Sequence, residues 1–355
     1  MEWSQRCLAL FFLVTCSLFA SPTIELFMYW QSWAKGEELF QGSEGLFPHL
    51  RQRLNEEGAS IKSWEIDRYR KSLLSWELVS DFSDVWNWCF PPKLQSVDST
   101  WVFWSLGPIL KKMDFSRIPK EKMVLFLWEP PTVEKEGYDP KVQKLFGKIY
   151  TWDDDLVDGV KFFKFHYPEL REKQVEATPF EKKKLCVMVA KCQSSKHPKE
   201  LYSERLKAIR FFEDKPDLFD LYGRGWEKKR LANWKGAIAD KIETIKNYKF
   251  SLCYENMGQV RGYITEKIFD CFAAQNVPIY LGASNVTDYI PADCFIDRRE
   301  FQSDVELLDF LSKMTEDEYN GYLERISRFQ RSEAAKLFSI DHFIETFSTL
   351  QKPSG

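Results

Sequence analysis

Short apolar runs broken by turn residues, and alternating with stretches of helical period, dominate the chain. "TIELFMYW" (23–30), "IKSWEI" (61–66), "STWVFWS" (99–105), "KMVLFLWE" (122–129) and "KIYTWDDDL" (148–156) read as strands of the first half. The fourth is stopped by Pro130 and Pro131, which have no N–H for a ladder. A helical piece is expected near "GPILKKM" (107–113). A polar stretch, "ATPFEKKK" (177–184), reads as a linker. A second series comes after it: strands at "LCVMVA" (185–190), "FDLYGRG" (219–225), "NYKFSLCYEN" (247–256) and "VPIYLG" (277–282), with a helix over "HPKELYSERLKAIRFFED" (197–214). "FQSDVELLDFLSKM" (301–314) and "EDEYNGYLERISRFQRSEAAKLF" (316–338) read as two closing helices. Strands alternating with helices predict parallel α/β sheets.

The 355 residues, 44% of them hydrophobic, are too many for one ordinary domain and suit two of about 150–180 residues. Two such α/β domains favour a ligand cleft. A net charge of −3 gives no basic excess for nucleic acid. The 13 Trp lean towards sugar binding, because ring faces pack on sugar C–H faces. Arg6 precedes an apolar run ending at Ala20, shorter than the ~20 residues that span a bilayer comfortably. Residues 1–20 read as a signal peptide or short signal anchor, and the rest of the chain as exported or lumenal. The eight cysteines contain no CxxC pair, so a zinc site is not indicated. Cys186, Cys253 and Cys271 read as buried thiols; in an oxidising compartment Cys89, Cys192 and Cys294 are the disulfide candidates.

The chemistry concentrates in "YENMGQVRGYITEKIFDCF" (254–272). Thr265 reads as an N-cap whose hydroxyl accepts a helix N–H, and Ile268, Cys271 and Phe272 give the helix an apolar face. Glu266 suits the positive helix end; Lys267 does not, at roughly 0.3–1 kcal/mol unless something compensates it. A bound phosphate would compensate it. Glu255, Asn256, Tyr263, Glu266 and Lys267 together read as a nucleotide-sugar site, carboxylates for sugar hydroxyls and the lysine for phosphate. Arg205 offers a phosphate-clamping fork, while Arg210 lies about 140° further round the same helix. Glu129 ends a buried strand, where ligands of parallel sheets bind, and suits a general base. Asp153, Asp154 and Asp155 offer oxygen ligands to a divalent metal, but the plainer reading is an acidic helix start after Trp152, as no partner ligand is identifiable and the four histidines lack metal spacing. Asn285 in Asn-Val-Thr fits a glycosylation sequon.

These segments resemble the α1,3/4-fucosyltransferases of glycosyltransferase family 10. "NYKFSLCYEN" and "GYITEKIFDCFAAQNVPIYLG" match that family's pattern closely, and "PADCFIDRREF", read as a strand, and "DLYGRGW" continue the match; "LWEPP" and "IYTWDDDL" match it more loosely. The resemblance implies a GT-B fold, two Rossmann-like domains facing a cleft: an acceptor domain over 21–180 and a GDP-fucose domain over 181–355. It implies an inverting transferase moving L-fucose from GDP-fucose to a glycan hydroxyl in α1,3 or α1,4 linkage to a GlcNAc-type sugar. Arg205 and Lys267 would hold the pyrophosphate, Glu266 the ribose or fucose, Asn256 and Tyr263 the donor, and Glu129 would be the base. "KCQSS" departs from the family's Ser-Asn start, so Arg205 is placed less firmly than Lys267. No metal is obligatory, though divalent stimulation stays open. The acceptor would sit on a glycoprotein, glycolipid or lipopolysaccharide, with the N-terminus as membrane tether in a Golgi-type lumen or a bacterial envelope. Two other readings stand beside this one: a GT-B enzyme using another nucleotide sugar, and an inactive secreted sugar-binding protein.

Overall fold

The computed structural model describes residues 23–28, 39–41, 45–65, 99–104, 106, 115, 118–170 and 175–351. The leader, the helical piece at 107–113 and Cys89 lie outside them. By internal contacts the chain forms two units. The first comprises the described residues up to Trp128, Glu136–Tyr150 and those from Ile344 onward; the second comprises Glu129–Lys135 and Thr151–Phe343.

The first unit is built on strands β1 (Thr23–Met28), β2 (Ser60–Glu65), β3 (Ser99–Phe103), β4 (Met123–Leu127) and β5 (Lys148–Thr151), in spatial order β2-β1-β3-β4-β5. The pairs of β1 with β2 and β3, and of β3 with β4, are parallel. All five residues of β4 are buried, as a strand covered on both faces requires. Helix α1 (Leu46–Glu56) turns Phe47, Leu50 and Leu54 inward, and the short α2 (Pro140–Gln143) is capped by Asp139. An aromatic stack fills the core: the Trp104 ring lies 5.1 Å from Phe126, which lies 4.8 Å from Tyr150.

The second unit begins with a short strand, β6 (Phe162–Lys164), and is organised by β7 (Lys184–Val189), β8 (Phe219–Tyr222), β9 (Tyr248–Tyr254), β10 (Val277–Leu281) and β11 (Ile296–Asp297), in order β11-β10-β9-β7-β8. Every pairing among these five is parallel. Helices α3 (Tyr202–Phe211), α4 (Lys241–Ile245), α5 (Glu266–Ala273), α6 (Asp304–Lys313) and α7 (Glu316–Gln330) accompany the strands, and α8 (Ile340–Ser348) starts in this unit and ends in residues assigned to the first. One sheet face packs Met188, Phe250, Leu252 and Ile279 against α3, α6 and α7. The other packs Cys253 and Tyr280 against Ile268, Phe269 and Phe272 of α5, each worth about 1.5–3 kcal/mol when fully buried.

Several expectations from periodicity are corrected. The helix expected from His197 begins only at Tyr202, because Leu201 donates its N–H to the Asn256 carbonyl at 3.2 Å and enters the helix without a side-chain cap. The long closing helix breaks after Gln330, and Ala334–Phe338 continues as a 3-10 turn. "PADCFIDRREF" holds only the two-residue β11 between 3-10 turns. Within the expected linker, Phe180–Lys182 form a 3-10 turn and Lys184 already belongs to β7. Cys192 and Cys294 are free thiols, as are Cys186, Cys253 and Cys271.

Candidate active site

Helix α5 starts directly behind the carboxyl end of β9, and its first turn carries Glu266 and Lys267. Thr265 is extended (φ −114°, ψ −172°), as an N-cap should be, but its hydroxyl caps no helix N–H. Glu255, fully buried at the end of β9, takes it instead. The Glu255 carboxylate accepts the Thr265 N–H at 3.0 Å and the Thr265 hydroxyl at 2.8 Å. It also pairs with the Lys267 ammonium at 2.9 Å. The expected cap does not form; the hydroxyl is held instead by a carboxylate ten residues upstream, a partnership that no local pattern encodes. Glu255 compensates the lysine that the helix dipole disfavours. Lys267 Nζ further donates to Thr265 Oγ1 at 2.9 Å and to Glu266 at 3.3 Å, the longest of its contacts and the one easiest to exchange for a ligand. Burial lowers the Lys267 pKa, but Glu255 and Glu266 outweigh it and hold the ammonium well above the usual lysine range. Burial would raise Glu266; the Lys267 and Lys241 cations outweigh it and bring the carboxyl to about 2.

Arg205 lies on the inner face of α3 and is 4% exposed, whereas Arg210 is exposed. Its Nη2 donates to the Tyr254 carbonyl at 2.6 Å and to Asn256 Oδ1 at 2.9 Å. Asn256 thus orients the guanidinium, which sits 5.2 Å from the Tyr202 ring. Both bonds leave from one nitrogen, so the rest of the fork is available for an anion. Arg205, Asn256, Glu266 and Lys267 line one cavity of about 240 Å³ at the carboxyl ends of β7 and β9, floored by Ser251 and Cys253.

Glu129 belongs to the same unit, two residues beyond the end of β4. Burial raises its carboxyl from 4.5 to about 7; the Lys267 cation opposes the rise, and Glu266, Glu134 and Glu255 reinforce it. A half-buried carboxyl that titrates near neutrality, in the field of the lysine, has the properties of a general base. Tyr202, which sequence reasoning passed over, feels the charges of Arg205, Glu129 and Lys267. Lys241 was missed as well: its ammonium lies 2.8 Å from Asp270 and lines the cavity.

Tyr263 is 2% exposed, with its ring 4.6 Å from Trp152 and 6.1 Å from Tyr167, and it does not line the cavity. The acidic triplet is committed to structure. Asp154 pairs with Lys164 at 2.5 Å and accepts from Tyr289 at 2.8 Å and Asn285 at 2.9 Å. Asp155 lies 3.3 Å from Arg261, and Asp153 accepts the Asp155 N–H at 3.0 Å. The Asn285 amide also donates to Asp288 at 2.9 Å and accepts the Gly262 N–H at 2.9 Å. Its sequon is thus a 7% exposed structural amide whose nitrogen is already bonded twice. His166 is packed near Tyr289, Phe338 and His342; burial takes its pKa down to about 3, consistent with a structural ring.

Residues 178–351 match the profile of glycosyltransferase family 10 (fucosyltransferase), C-terminal part. Among curated proteins, an α-(1,3)-fucosyltransferase of Helicobacter pylori is 34% identical over 89 residues, 25% of this chain and 18% of that protein. The 4-galactosyl-N-acetylglucosaminide 3-α-L-fucosyltransferase 9 of Mus musculus is 44% identical over 75 residues, 21% of each chain. This chain thus spans about a fifth of the length of the curated relatives it matches. An α1,3-fucosyltransferase solved with GDP-fucose superposes with a TM-score of 0.50 at 15% identity, covering 94% of this chain and 91% of its own. That likeness is one of fold, and the fold is GT-B, as expected. The match over residues 178–351 takes in the second sheet and every candidate site residue except Glu129, and it is to glycosyltransferase family 10, the fucosyltransferase family.

Proposed function

We propose that this chain is an inverting fucosyltransferase that moves L-fucose from GDP-fucose to a glycan hydroxyl. The observation that carries the reading is Glu129, a carboxyl raised to about 7 in the field of Lys267, in the unit that also holds Arg205 beside the cavity. As the C1–O bond of the donor breaks, the sugar gains oxocarbenium character and the leaving diphosphate gains negative charge. Arg205, Lys267 and the start of α5 stabilise that growing charge. Glu266 takes sugar hydroxyls, and Asn256 holds Arg205 in place for the donor. Tyr263 supports the donor loop from beneath through Trp152. Glu129 accepts the proton of the attacking hydroxyl, and one in-line displacement turns the β-linked donor into an α-fucoside.

The names of the relatives favour a GlcNAc-type acceptor with α1,3 or α1,4 linkage; we assign that acceptor to a glycoprotein, glycolipid or lipopolysaccharide. We place the chain in a secretory pathway or a bacterial envelope, since a bacterial and a mammalian fucosyltransferase are both among its relatives. Among the described residues no helix is long and apolar enough to cross a membrane. Cationic side chains do the work that a metal does elsewhere, so no metal is obligatory.

The test is Glu129→Gln. It keeps GDP affinity by calorimetry and loses at least ~10²-fold in kcat. Because the ionised carboxyl is the active base, wild-type kcat/KM rises with pH through about 7, and this acid limb disappears in the variant. A glutamine enzyme that transfers fucose at near wild-type rate with saturating acceptor would place the base elsewhere. A nucleotide panel separates the neighbouring readings: stabilisation by UDP rather than GDP indicates another donor, and stabilisation by no nucleotide indicates a sugar-binding protein.

A further inference from the structure

A second recess, of about 760 Å³, opens between the first turns of α3 and α6. It lies wholly within the second unit and, among the described residues, shares only Tyr254 with the cavity of Arg205 and Lys267. Side chains two apart on a strand share a face, so Tyr254 follows Phe250 and Leu252 onto the side of β9 that packs against α3 and α6. Tyr254 is 3% exposed, and its hydroxyl has no hydrogen-bond partner among the described residues. Arg298, which also lines the recess, donates to the Phe301 carbonyl at 2.8 Å and to Asp304 at 3.0 Å.

The charges around this recess are largely spent on one another. Arg298 is paired with Asp304, Lys207 with Glu204 at 2.6 Å and Arg299 with Asp297 at 2.6 Å, and Glu200 accepts the Ser203 N–H at 3.0 Å. Lys199 is a further, exposed cation. A charged ligand would gain Lys199 alone unless it broke one of these pairs. Uncharged groups are freer. The side chains of Gln259 and Gln302 line the recess from exposed positions and make no hydrogen bond among the described residues. Gln259 also holds a left-handed backbone, φ +54°, where glycine would be easier. Phe211 and Phe301, both half-buried, add ring surface to the walls.

We infer that this recess is a second saccharide site, which takes a neutral oligosaccharide with Gln259 and Gln302 on its hydroxyls and Phe211 and Phe301 against its C–H faces. A carboxamide presents donors and an acceptor in one plane, as neighbouring sugar hydroxyls require, and ring faces pack on apolar surface. The site goes beyond the transfer reaction proposed above and stands apart from its donor cavity. On that reaction, it anchors a distant part of the acceptor glycan.

Hydrogen exchange of the full chain, with and without a neutral oligosaccharide of repeating Gal-GlcNAc units, locates the binding. Protection is expected in the segments around Lys199, Gln259 and Gln302. In titrations followed by ligand NMR, Gln259→Gly weakens the oligosaccharide about three- to tenfold, yet its melting temperature holds or rises because glycine suits the backbone there. Gln302→Ala gives a similar loss from a different segment. Both variants keep wild-type GDP affinity by calorimetry. The same oligosaccharide bearing terminal sialic acids binds no more tightly than the neutral one. Protection confined to other segments, saccharide affinity unchanged in both glutamine variants, or tighter binding of the sialylated chain would each overturn the site. GDP binding without protection around Gln259 and Gln302 overturns this site and leaves the transferase reading standing. Protection there in a chain that does not bind GDP upholds the site and overturns the donor reading instead.

Discussion

Lys267 shows how a single residue serves fold and chemistry together. Its ammonium neutralises Glu255, which is fully buried, while its own side chain is 19% exposed and reaches the cavity. Removing it therefore has two consequences. Lys267→Ala loses a charge-assisted phosphate contact, which costs GDP binding on the order of 1.5–3 kcal/mol. It also strands the Glu255 carboxylate, and breaking a buried pair from one side costs about 3–5 kcal/mol of stability. The double variant Lys267→Ala, Glu255→Gln separates the two effects. Thermal denaturation should show its stability largely restored, while calorimetry should show GDP affinity still low. Recovery of GDP affinity in the double variant would mean that Lys267 serves only to neutralise Glu255.

At the scale of elements, the site depends on where β7 and β8 end. Gly223, just past β8, has φ +132°, and a Cβ there would collide with the Ala190 carbonyl oxygen. Ala190 in turn lines the cavity just beyond β7. Gly236 has a similar φ, +98°, but nothing lies within 4 Å of its Cβ position. Comparing the two positions separates backbone strain from steric exclusion. Gly236→Ala should cost about 1 kcal/mol. Gly223→Ala should cost several times that, about 3 kcal/mol or more, because backbone must move. Similar melting temperatures for the two variants would show that the β7–β8 crossing yields more easily than its geometry implies. Gly262 obeys the same logic in the loop before α5: at φ +80° its Cβ would collide with the Trp152 carbonyl and the Lys164 ammonium. Asp154, Lys164 and Asn285 thereby set the path of the chain into Tyr263 and Thr265.

At the scale of the whole molecule, the cations of the site balance its carboxylates. Arg205, Lys241 and Lys267 face Glu255, Glu266 and Asp270, and the acidic triplet 153–155 is engaged with Lys164, Arg261, Asn285 and Tyr289. On the function proposed above, charge stabilisation of the leaving diphosphate would fall to side chains. Turnover of the full chain is expected to persist in excess EDTA at half or more of its untreated rate, as roughly expected when cationic side chains replace a metal. Activity that stops in EDTA and returns only with manganese or magnesium would count against this.

The sequence by itself determined the alternation of buried strands and helices, because β4, β7, β9 and β10 are apolar runs long enough to fill a covered sheet and are cut sharply by Pro, Gly or charge. It also determined the short motif from Glu255 to Lys267, whose residue types carry their chemistry wherever the chain folds. The tertiary structure decided the partnerships. Glu255 with Lys267, Asn256 with Arg205 and Asp154 with Asn285 span sequence separations from a dozen residues to well over a hundred. Lys241 stood in no motif and was illegible, since only parallel strands brought side by side, with helices laid across their ends, make one pocket from residues that share no local period. The raised carboxyl of Glu129 belongs to the same class: a strand-end glutamate can be read from the sequence, but its burial and its nearness to Lys267 arise only once the chain has closed around it.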